Sequence, residues 1–381
     1  MYKRVVFIFL VVFVTGIAYW LRLRAVNLLP IDYDEDDYLS AAIHYAAAFR
    51  ERDFQEIIDY EFNFEHPPLT KLIYGVALLP LPEASALAEK PPSAPIALNL
   101  PEPHFRTSRN LAAVFGTLEV FVLTLVNPLA GLFLAINTWQ IKYTSQIMLE
   151  PLPSLTSLLV IFFYVKSNRK WNIWLFLSAL AMGLTVASKY PYAVVGCALI
   201  AHWISEDWPR YKENRTAPAL ESLKPVLAWG IVAVLVFIAA NPRLWNDLFN
   251  RFWATLVFHS AYAHSEHVRQ VGFPFWQPFV WIFQSVPWHP GVFLISIDVF
   301  LTLFAFLGFI RLWKRYRVYG LWLVFALVFL LIWPTKWPQY VLVFTAPLSL
   351  AAALGFISFV VEPLRAIIVS ISRVGFAGWY N

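Results

Sequence analysis

Charged side chains are scarce in this chain of 381 residues, because Asp, Glu, Lys and Arg together make up only 14% of it. A typical soluble domain carries about 25%. Apolar residues account for 59%, and the mean hydropathy is +0.60. These proportions exclude an ordinary soluble domain and indicate an integral membrane protein with several spans.

Cysteine is almost absent as well. The one cysteine, Cys197, lies in an apolar run and has no partner in the chain. An intrachain disulfide framework is therefore excluded, and the redox compartment stays open.

Motifs that read nucleic acid are also missing, although Lys and Arg outnumber Asp and Glu by 29 to 24 and the pI is about 9.1. The basic residues fall in short clusters between apolar runs and form no basic face. Such clusters are typical of cytoplasmic loops in membrane proteins. We therefore expect no nucleic-acid partner.

The first apolar run, residues 5–20, follows Met1-Tyr-Lys-Arg and resembles the start of a signal peptide. No small-residue cleavage site follows it. We expect an uncleaved first span with its basic start in the cytoplasm.

The apolar stretch 69–81 decides the topology. As a helix it would rise about 20 Å, well short of the roughly 30 Å hydrocarbon core. If it does not cross, the basic loops 166–170, 210–224 and 311–317 all lie in the cytoplasm. Counting it as a span would place all three outside, against the positive-inside rule.

This topology predicts an all-α polytopic membrane protein with about ten transmembrane helices in one domain and both termini in the cytoplasm. One of the spans covers 129–143. The first external loop covers about 27–108 and contains interfacial helices. A second long external loop covers about 241–290, and a cytoplasmic tail covers 362–381.

Five carboxylates are packed into Ile31-Asp-Tyr-Asp-Glu-Asp-Asp-Tyr38. A charge at the centre of a bilayer costs roughly 3 kcal/mol or more, so this cluster must lie at a water-facing surface beside the membrane. Asp34 and Glu35 are the candidates for chemistry. The other three, Asp32, Asp36 and Asp37, are interpreted as solvated residues at a helix start.

The predicted external face collects further polar residues. Carboxylates there can act as general bases or hold a divalent cation, while Lys and Arg can bind a phosphate leaving group. Arg109 and Lys189 have an alternative interpretation as headgroup anchors, the role expected of Arg22 and Arg24. The full set is Asp34, Glu35, His66, Lys71, Arg109, Glu150, Lys189 and Lys336.

Three histidines of the second external loop, His259, His264 and His267, lie near Glu266 and could ligate a metal. Zinc sites normally need a fuller set of ligands at a more regular spacing. We therefore interpret this segment as a solvated or interfacial loop.

An ordered series of motifs resembles the GT-C glycosyltransferases that use polyprenyl-phosphate sugars, among them protein O-mannosyltransferases and aminoarabinose transferases of lipid A. The resemblance covers about residues 5–355. Its motifs are Asp34-Glu35-x-x-Tyr38, His66-Pro-Pro-Leu69 with Lys71, Arg109 with Gly116, Met148-Leu-Glu150, Ser188-Lys-Tyr190, and Lys336 with Tyr340.

The resemblance implies a sugar transferase of the cell envelope with a polyprenyl-phosphate-linked donor, a lipid, glycan or protein acceptor, and Asp34 as catalytic base. Glu150 stands where many relatives carry Asp, so a divalent cation on Glu35 and Glu150 stays open. The substrate-binding residues implied are Tyr38, His66, Lys71, Arg109, Lys189, Tyr190, Lys336 and Tyr340.

The alternative function is a transporter or flippase of lipid-linked sugars. Such a protein is expected to have related halves and charged residues within its spans. The sequence shows no clear internal repeat, and we predict no charge in the middle of a span.

Overall fold

The computed structural model describes residues 2–85, 99–213, 218–287, 289 and 291–367, with side chains undescribed over 207–213 and 218–222. All regular secondary structure in these ranges is helical. The predicted all-α class is therefore confirmed. Much of the expected loop before residue 102 and most of the expected tail after 362 lie outside the described residues.

Seventeen α-helices lie within the described ranges. The first nine are α1 Tyr2–Leu28, α2 Glu35–Glu51, α3 Phe54–Asp59, α4 Leu69–Leu78, α5 Glu102–Val126, α6 Pro128–Ile136, α7 Thr138–Tyr143, α8 Pro151–Ser167 and α9 Ile173–Ser188. The others are α10 Val194–Glu213, α11 Pro218–Ala239, α12 Leu248–Ala263, α13 Glu266–Val271, α14 Gln277–Ile282, α15 Asp298–Arg315, α16 Arg317–Ile332 and α17 Leu342–Phe356.

Three helical segments are long and apolar enough to cross a membrane: Tyr2–Leu28, Glu102–Val126 and Pro338–Ile367. The last is 83% buried inside the protein over its most apolar window, whereas the first is only 22% buried. The chain therefore has its C-terminal span at the centre and its N-terminal span at the lipid-facing edge. Several shorter apolar helices complete the bundle, and the count of ten spans stays a prediction.

Helix α4 has ten residues, so it rises about 15 Å, half the thickness of the hydrocarbon core. It packs closely on α2, because a Cβ at Gly75 would lie 2.9 Å from Tyr45 Cβ and 3.0 Å from the carbonyl oxygen of Ala42. The glycine thus permits the close crossing that holds α4 against α2.

The expectation of one span over 129–143 is wrong, because the segment forms two helices that break at Asn137. The Asn137 side chain accepts a hydrogen bond from the Gln140 amide and donates one of 2.8 Å to Asp298. Asp298 also accepts from the backbone amide and hydroxyl of Thr138. A carboxylate 160 residues away therefore stabilises the break, which local sequence could not reveal.

The expectations that Arg22 is a headgroup anchor and that no charge lies within a span are also wrong. Arg22 is fully buried and donates from Nε to Thr144 Oγ1 at 2.9 Å. Glu119, in the middle of α5, is 1% exposed and accepts from the Gln140 side chain. Thr345 of α17 donates to the same amide. A buried polar network therefore joins α1, α5, α7 and α17.

Candidate active site

Glu35 lies at the start of α2 and is completely buried. One carboxylate oxygen accepts from Arg109 Nε at 2.8 Å and from the Ile147 amide at 2.7 Å. The other accepts from Arg109 Nη2 at 2.5 Å and from the Asp32 amide at 2.8 Å. Four donors from three chain segments therefore occupy this carboxylate.

Arg109, on α5, is equally occupied. Besides the two bonds to Glu35, its guanidinium donates to the backbone carbonyls of Val26, Leu29 and Pro30 at 2.8–3.0 Å. A guanidinium has five N–H groups, and all five have an acceptor here. The expected role of Arg109 as a phosphate ligand is therefore corrected: in this geometry it fixes the turn between α1 and α2.

Asp34 stands one residue before Glu35 and has the opposite environment. It occupies the N-cap position of α2, yet its side chain does not cap the helix, and among the described residues it accepts no hydrogen bond. Burial raises the pKa of its carboxyl to about 7, with Lys189 opposing the shift and Glu150 adding to it. The Asp34 side chain is half-buried. A carboxyl group with a pKa near neutrality is suited to accept a proton.

The other acidic residues of the cluster were expected to be solvated, and one of them, Asp36, is not. Asp32 is partly exposed and pairs with Lys142 at 2.9 Å. Asp36 is buried at 3% exposure, so its interpretation as a solvated residue is wrong. Asp36 and Glu35 are both buried in the first turn of α2.

Glu150 and Lys189 form the second buried ion pair. Glu150 immediately precedes α8, and Lys189 immediately follows α9, so both lie at helix ends on the same side of the bundle. The second carboxylate oxygen of Glu150 is buried without a hydrogen-bond partner. The Lys189 ammonium lies 5.4 Å from the ring centre of Tyr340 and has Glu150 as its only hydrogen-bond acceptor within the described part of the chain.

Lys71 of α4 has hydrogen-bond acceptors other than these carboxylates. It is 1% exposed and donates to Asn63 O at 2.7 Å, Asn63 Oδ1 at 3.2 Å and His66 O at 3.3 Å. Burial lowers the pKa of its ammonium to about 8. Its three donors fix the loop that presents His66, so Lys71 acts on the site through the backbone.

Aromatic and imidazole rings line the site around His66. Tyr38 lies 6.2 Å from His66 between ring centres, and His259 lies 6.1 Å from it on another side. His259 in turn contacts Tyr190 at 6.4 Å and Trp333 at 6.1 Å. Burial, followed by nearby Lys189, lowers the pKa of His66, and burial is also the main cause for His259, so both rings are neutral at pH 7.

The placement of His259 was missed by the sequence reasoning, which assigned all three histidines to a solvated or interfacial loop. His264 and His267 are exposed, as expected. His259 instead lies on the inner face of α12 and bonds the Glu65 carbonyl at 3.0 Å. His259 lies seven residues after Phe252, which also contacts Tyr190, so a helix places both on the same face. This spacing is the signal that could have separated His259 from the other two histidines.

Lys336 and Tyr340 follow α16. Tyr340 is 8% exposed and lies under the Lys189 ammonium. The Lys336 ammonium donates to the carbonyls of Leu331 and Trp333, where it complements the negative end of the α16 dipole. The structure therefore brings Tyr340 to the ion pair and Lys336 to a helix end.

The residues present do not fit a divalent cation on Glu35 and Glu150. All four hydrogen-bonding positions of Glu35 are occupied, and Glu150 shares one oxygen with Lys189. Within the described ranges, no group of three or more His, Cys, Asp or Glu has an arrangement that could hold a metal ion.

No protein-family model matches the sequence, and no curated protein matches it either. Solved structures do. The fold is similar to that of ArnT from Cupriavidus metallidurans bound to undecaprenyl phosphate, with a TM-score of 0.60 and 15% identity over 97% of this chain. The apo structure of ArnT from the same organism gives a TM-score of 0.58 and 14% identity over 99% of this chain.

The chain spans 64% of the length of ArnT in both comparisons. At this level of identity the likeness establishes the fold. The predicted all-α fold of an integral membrane protein is therefore confirmed.

Proposed function

We propose that this protein is a membrane glycosyltransferase that moves a sugar from a polyprenyl-phosphate donor to an acceptor on the external face of the membrane. The observation that carries the proposal is the trio of Asp34, Glu150 and Lys189. Asp34 is an unpaired carboxylate with a raised pKa, and Lys189 is a cation whose N–H donors are only partly used. Support also comes from the shared fold with ArnT, which is bound to undecaprenyl phosphate in one structure.

In the proposed reaction, an acceptor hydroxyl attacks the anomeric carbon of the donor sugar while Asp34 takes the hydroxyl proton. The bond between the anomeric carbon and the phosphate oxygen breaks, and its electrons leave with the polyprenyl phosphate. A single displacement of this kind inverts the anomeric configuration. Asp34 then releases the proton to water.

Lys189 is the proposed phosphate ligand. An ammonium has three N–H donors, and one is directed to Glu150. The other two can bind phosphate oxygens while the ion pair remains intact. The phosphate gains negative charge as the sugar leaves, so a fixed cation stabilises the transition state more than the bound donor.

Tyr38, His66, Tyr190 and His259 are proposed to surround the sugar. Neutral imidazoles both donate and accept hydrogen bonds, which suits hydroxyl groups. Aromatic rings offer an apolar face of matching size. The acceptor can be a lipid, a glycan or a protein.

The test is a transfer assay with purified protein in lipid nanodiscs, using a panel of labelled polyprenyl-phosphate sugars and an extract of envelope acceptors. Asp34→Asn removes the base and should reduce turnover by about a hundredfold or more. Asp37→Asn, a matched neutralisation three residues away, should retain most activity. Turnover by Asp34→Asn equal to that of the unchanged protein would exclude Asp34 as the base.

A transporter or flippase of lipid-linked sugars is the second candidate. The buried Arg22 and Glu119 favour it, since they place charge inside the bundle, where the sequence predicted none. Transporters commonly carry such residues along their pathways. Movement of a fluorescent lipid-linked sugar across liposomes without any acceptor would support it, whereas acceptor-dependent transfer without such movement would exclude it.

The external location is tested by labelling. In a Cys197→Ser background, cysteine at Glu51 should react with an impermeant maleimide added outside intact cells, and cysteine at Lys170 should not. Both original side chains are exposed in the structure, so access depends on the side of the membrane. Labelling at position 170 from outside would invert the topology and move the site to the cytoplasm.

A further inference from the structure

Helix α12, Leu248–Ala263, has two faces of different character. Its inner face contacts the candidate site: Thr255 is 1% exposed, Phe252 lies 6.1 Å from Tyr190, and His259 lies 6.1 Å from His66. Its outer face is strongly exposed and apolar over residues 249–257. The exposed fractions are 83% for Phe249, 64% for Trp253, 45% for Leu256 and 50% for Val257.

These four outer residues follow helical spacing, at i, i+4, i+7 and i+8, so they form one stripe. Scattered apolar residues are normal on a protein surface, but a continuous stripe with two large aromatic rings indicates a contact with another apolar phase. The helix occupies the loop after α11, which the topology places outside the cell.

The stripe continues a surface that already faces lipid. Leu227, Ile231 and Leu235 are 59–62% exposed on α11, one of the shorter apolar helices of the bundle. Trp245 links that helix to α12: its indole N–H donates to the Ile238 carbonyl at 2.8 Å, and its ring is 55% exposed. With its polar group satisfied, this ring can lie among acyl chains near the headgroups.

Two arginines fix the helix in this orientation. Arg251 donates to the Ile58 carbonyl and pairs with Asp59 at 2.7 Å, so the start of α12 is attached to the first external loop. Arg243 pairs with Glu61 at 3.0 Å, on the same loop. The polar contacts of α12 are therefore directed toward the protein, and the apolar stripe is directed away from it.

We infer that α12 is an interfacial helix whose outer stripe is inserted into the external leaflet, so that this one helix separates the lipid phase from the candidate site. The partner is the leaflet itself, at the boundary between headgroups and acyl chains. The insertion is inferred from exposure and attachment, and the choice of leaflet follows from the predicted topology. Neither depends on whether the site transfers or translocates sugar.

The test places nitroxide labels on single cysteines in a Cys197→Ser background, with the protein in liposomes. Labels at Phe249, Trp253 and Val257 should be relaxed strongly by oxygen, which concentrates in lipid, and weakly by a water-soluble nickel chelate. A label at Asn246, an exposed polar position on the connecting segment, is the control and should show the reverse.

Two results would overturn the inference. Strong relaxation by the nickel chelate at all three stripe positions would place the stripe in water. Labels shielded from both oxygen and nickel would show that the stripe is covered by protein, such as a second copy of the chain. Neither result bears on sugar transfer, so this inference and the proposed function fail separately.

Discussion

Two ion pairs are buried within the part of the chain that the structure describes, and they have the same charges but different surroundings. Glu35 and Arg109 are saturated, meaning that they have no hydrogen-bonding capacity left. Both carboxylate oxygens accept two hydrogen bonds, and every guanidinium N–H has an acceptor in the chain. Glu150 and Lys189 are open: one carboxylate oxygen has no hydrogen-bond partner, and the ammonium has one acceptor among the described residues.

Unused hydrogen-bonding capacity therefore separates structural charges from reactive ones here. A saturated pair cannot bind a ligand without losing bonds that hold the chain. An open pair gains bonds when a phosphate or hydroxyl arrives, which offsets part of the desolvation cost of a buried charge. Asp34 belongs with the open pair, although it is bonded covalently to Glu35.

The largest expected effect comes from breaking the saturated pair. Glu35→Ala leaves the Arg109 guanidinium buried without its carboxylate, and removing one partner of such a pair typically costs about 3–5 kcal/mol. We expect a strongly lowered melting temperature in detergent. Glu35→Gln, which keeps the shape and one acceptor, should lose less, and unchanged melting of Glu35→Ala would contradict the structural role.

The next effect concerns catalysis. Lys189→Met should reduce turnover by about 10²–10³, the usual cost of removing one donor to developing negative charge. Melting should change less than in Glu35→Ala, because Lys189 donates one hydrogen bond among the described residues, whereas Glu35 accepts four. If Lys189→Met has a strongly lowered melting temperature but retains turnover per folded molecule, the pair of Glu150 and Lys189 has a structural role instead.

The sequence located the acidic cluster, the motif residues and the helical class, because these depend on composition and on order along the chain. The resemblance assigned the base to Asp34, but the residue pattern alone could not show that Glu35 is a structural residue, because its partners Arg109 and Ile147 are distant in sequence. The break at Asn137 escaped prediction for the same reason, because its stabilising partner, Asp298, is distant in sequence.

Activity should depend on pH through Asp34, whose pKa burial raises to about 7. The base form is the charged one, so turnover should fall roughly tenfold per pH unit below 7 and level off above it. Lys189 lowers this pKa and Glu150 raises it. The acidic limb should therefore move to higher pH in Lys189→Met and to lower pH in Glu150→Gln, measured on the residual activity.

Shifts of the same sign in these two variants would contradict the electrostatic account. Asp34→Asn should abolish the fall in turnover at acidic pH altogether. A limb that survives Asp34→Asn would belong to another group.

The smallest expected effect comes from a third ion pair, Lys142 with Asp32, which lies at the edge of the site. Its side chains are 22% and 24% exposed, and exposed pairs contribute about 0–1 kcal/mol. Lys142→Ala should therefore change melting by little and turnover at pH 8 by less than about twofold, since the Asp32 amide still donates to Glu35. The Asp32 charge would be less compensated, and because it raises the pKa of Asp34, the acidic limb should move slightly upward. A tenfold loss of turnover at pH 8 with unchanged melting would instead make Lys142 the phosphate ligand, and the distinction between open and saturated pairs would no longer identify the site.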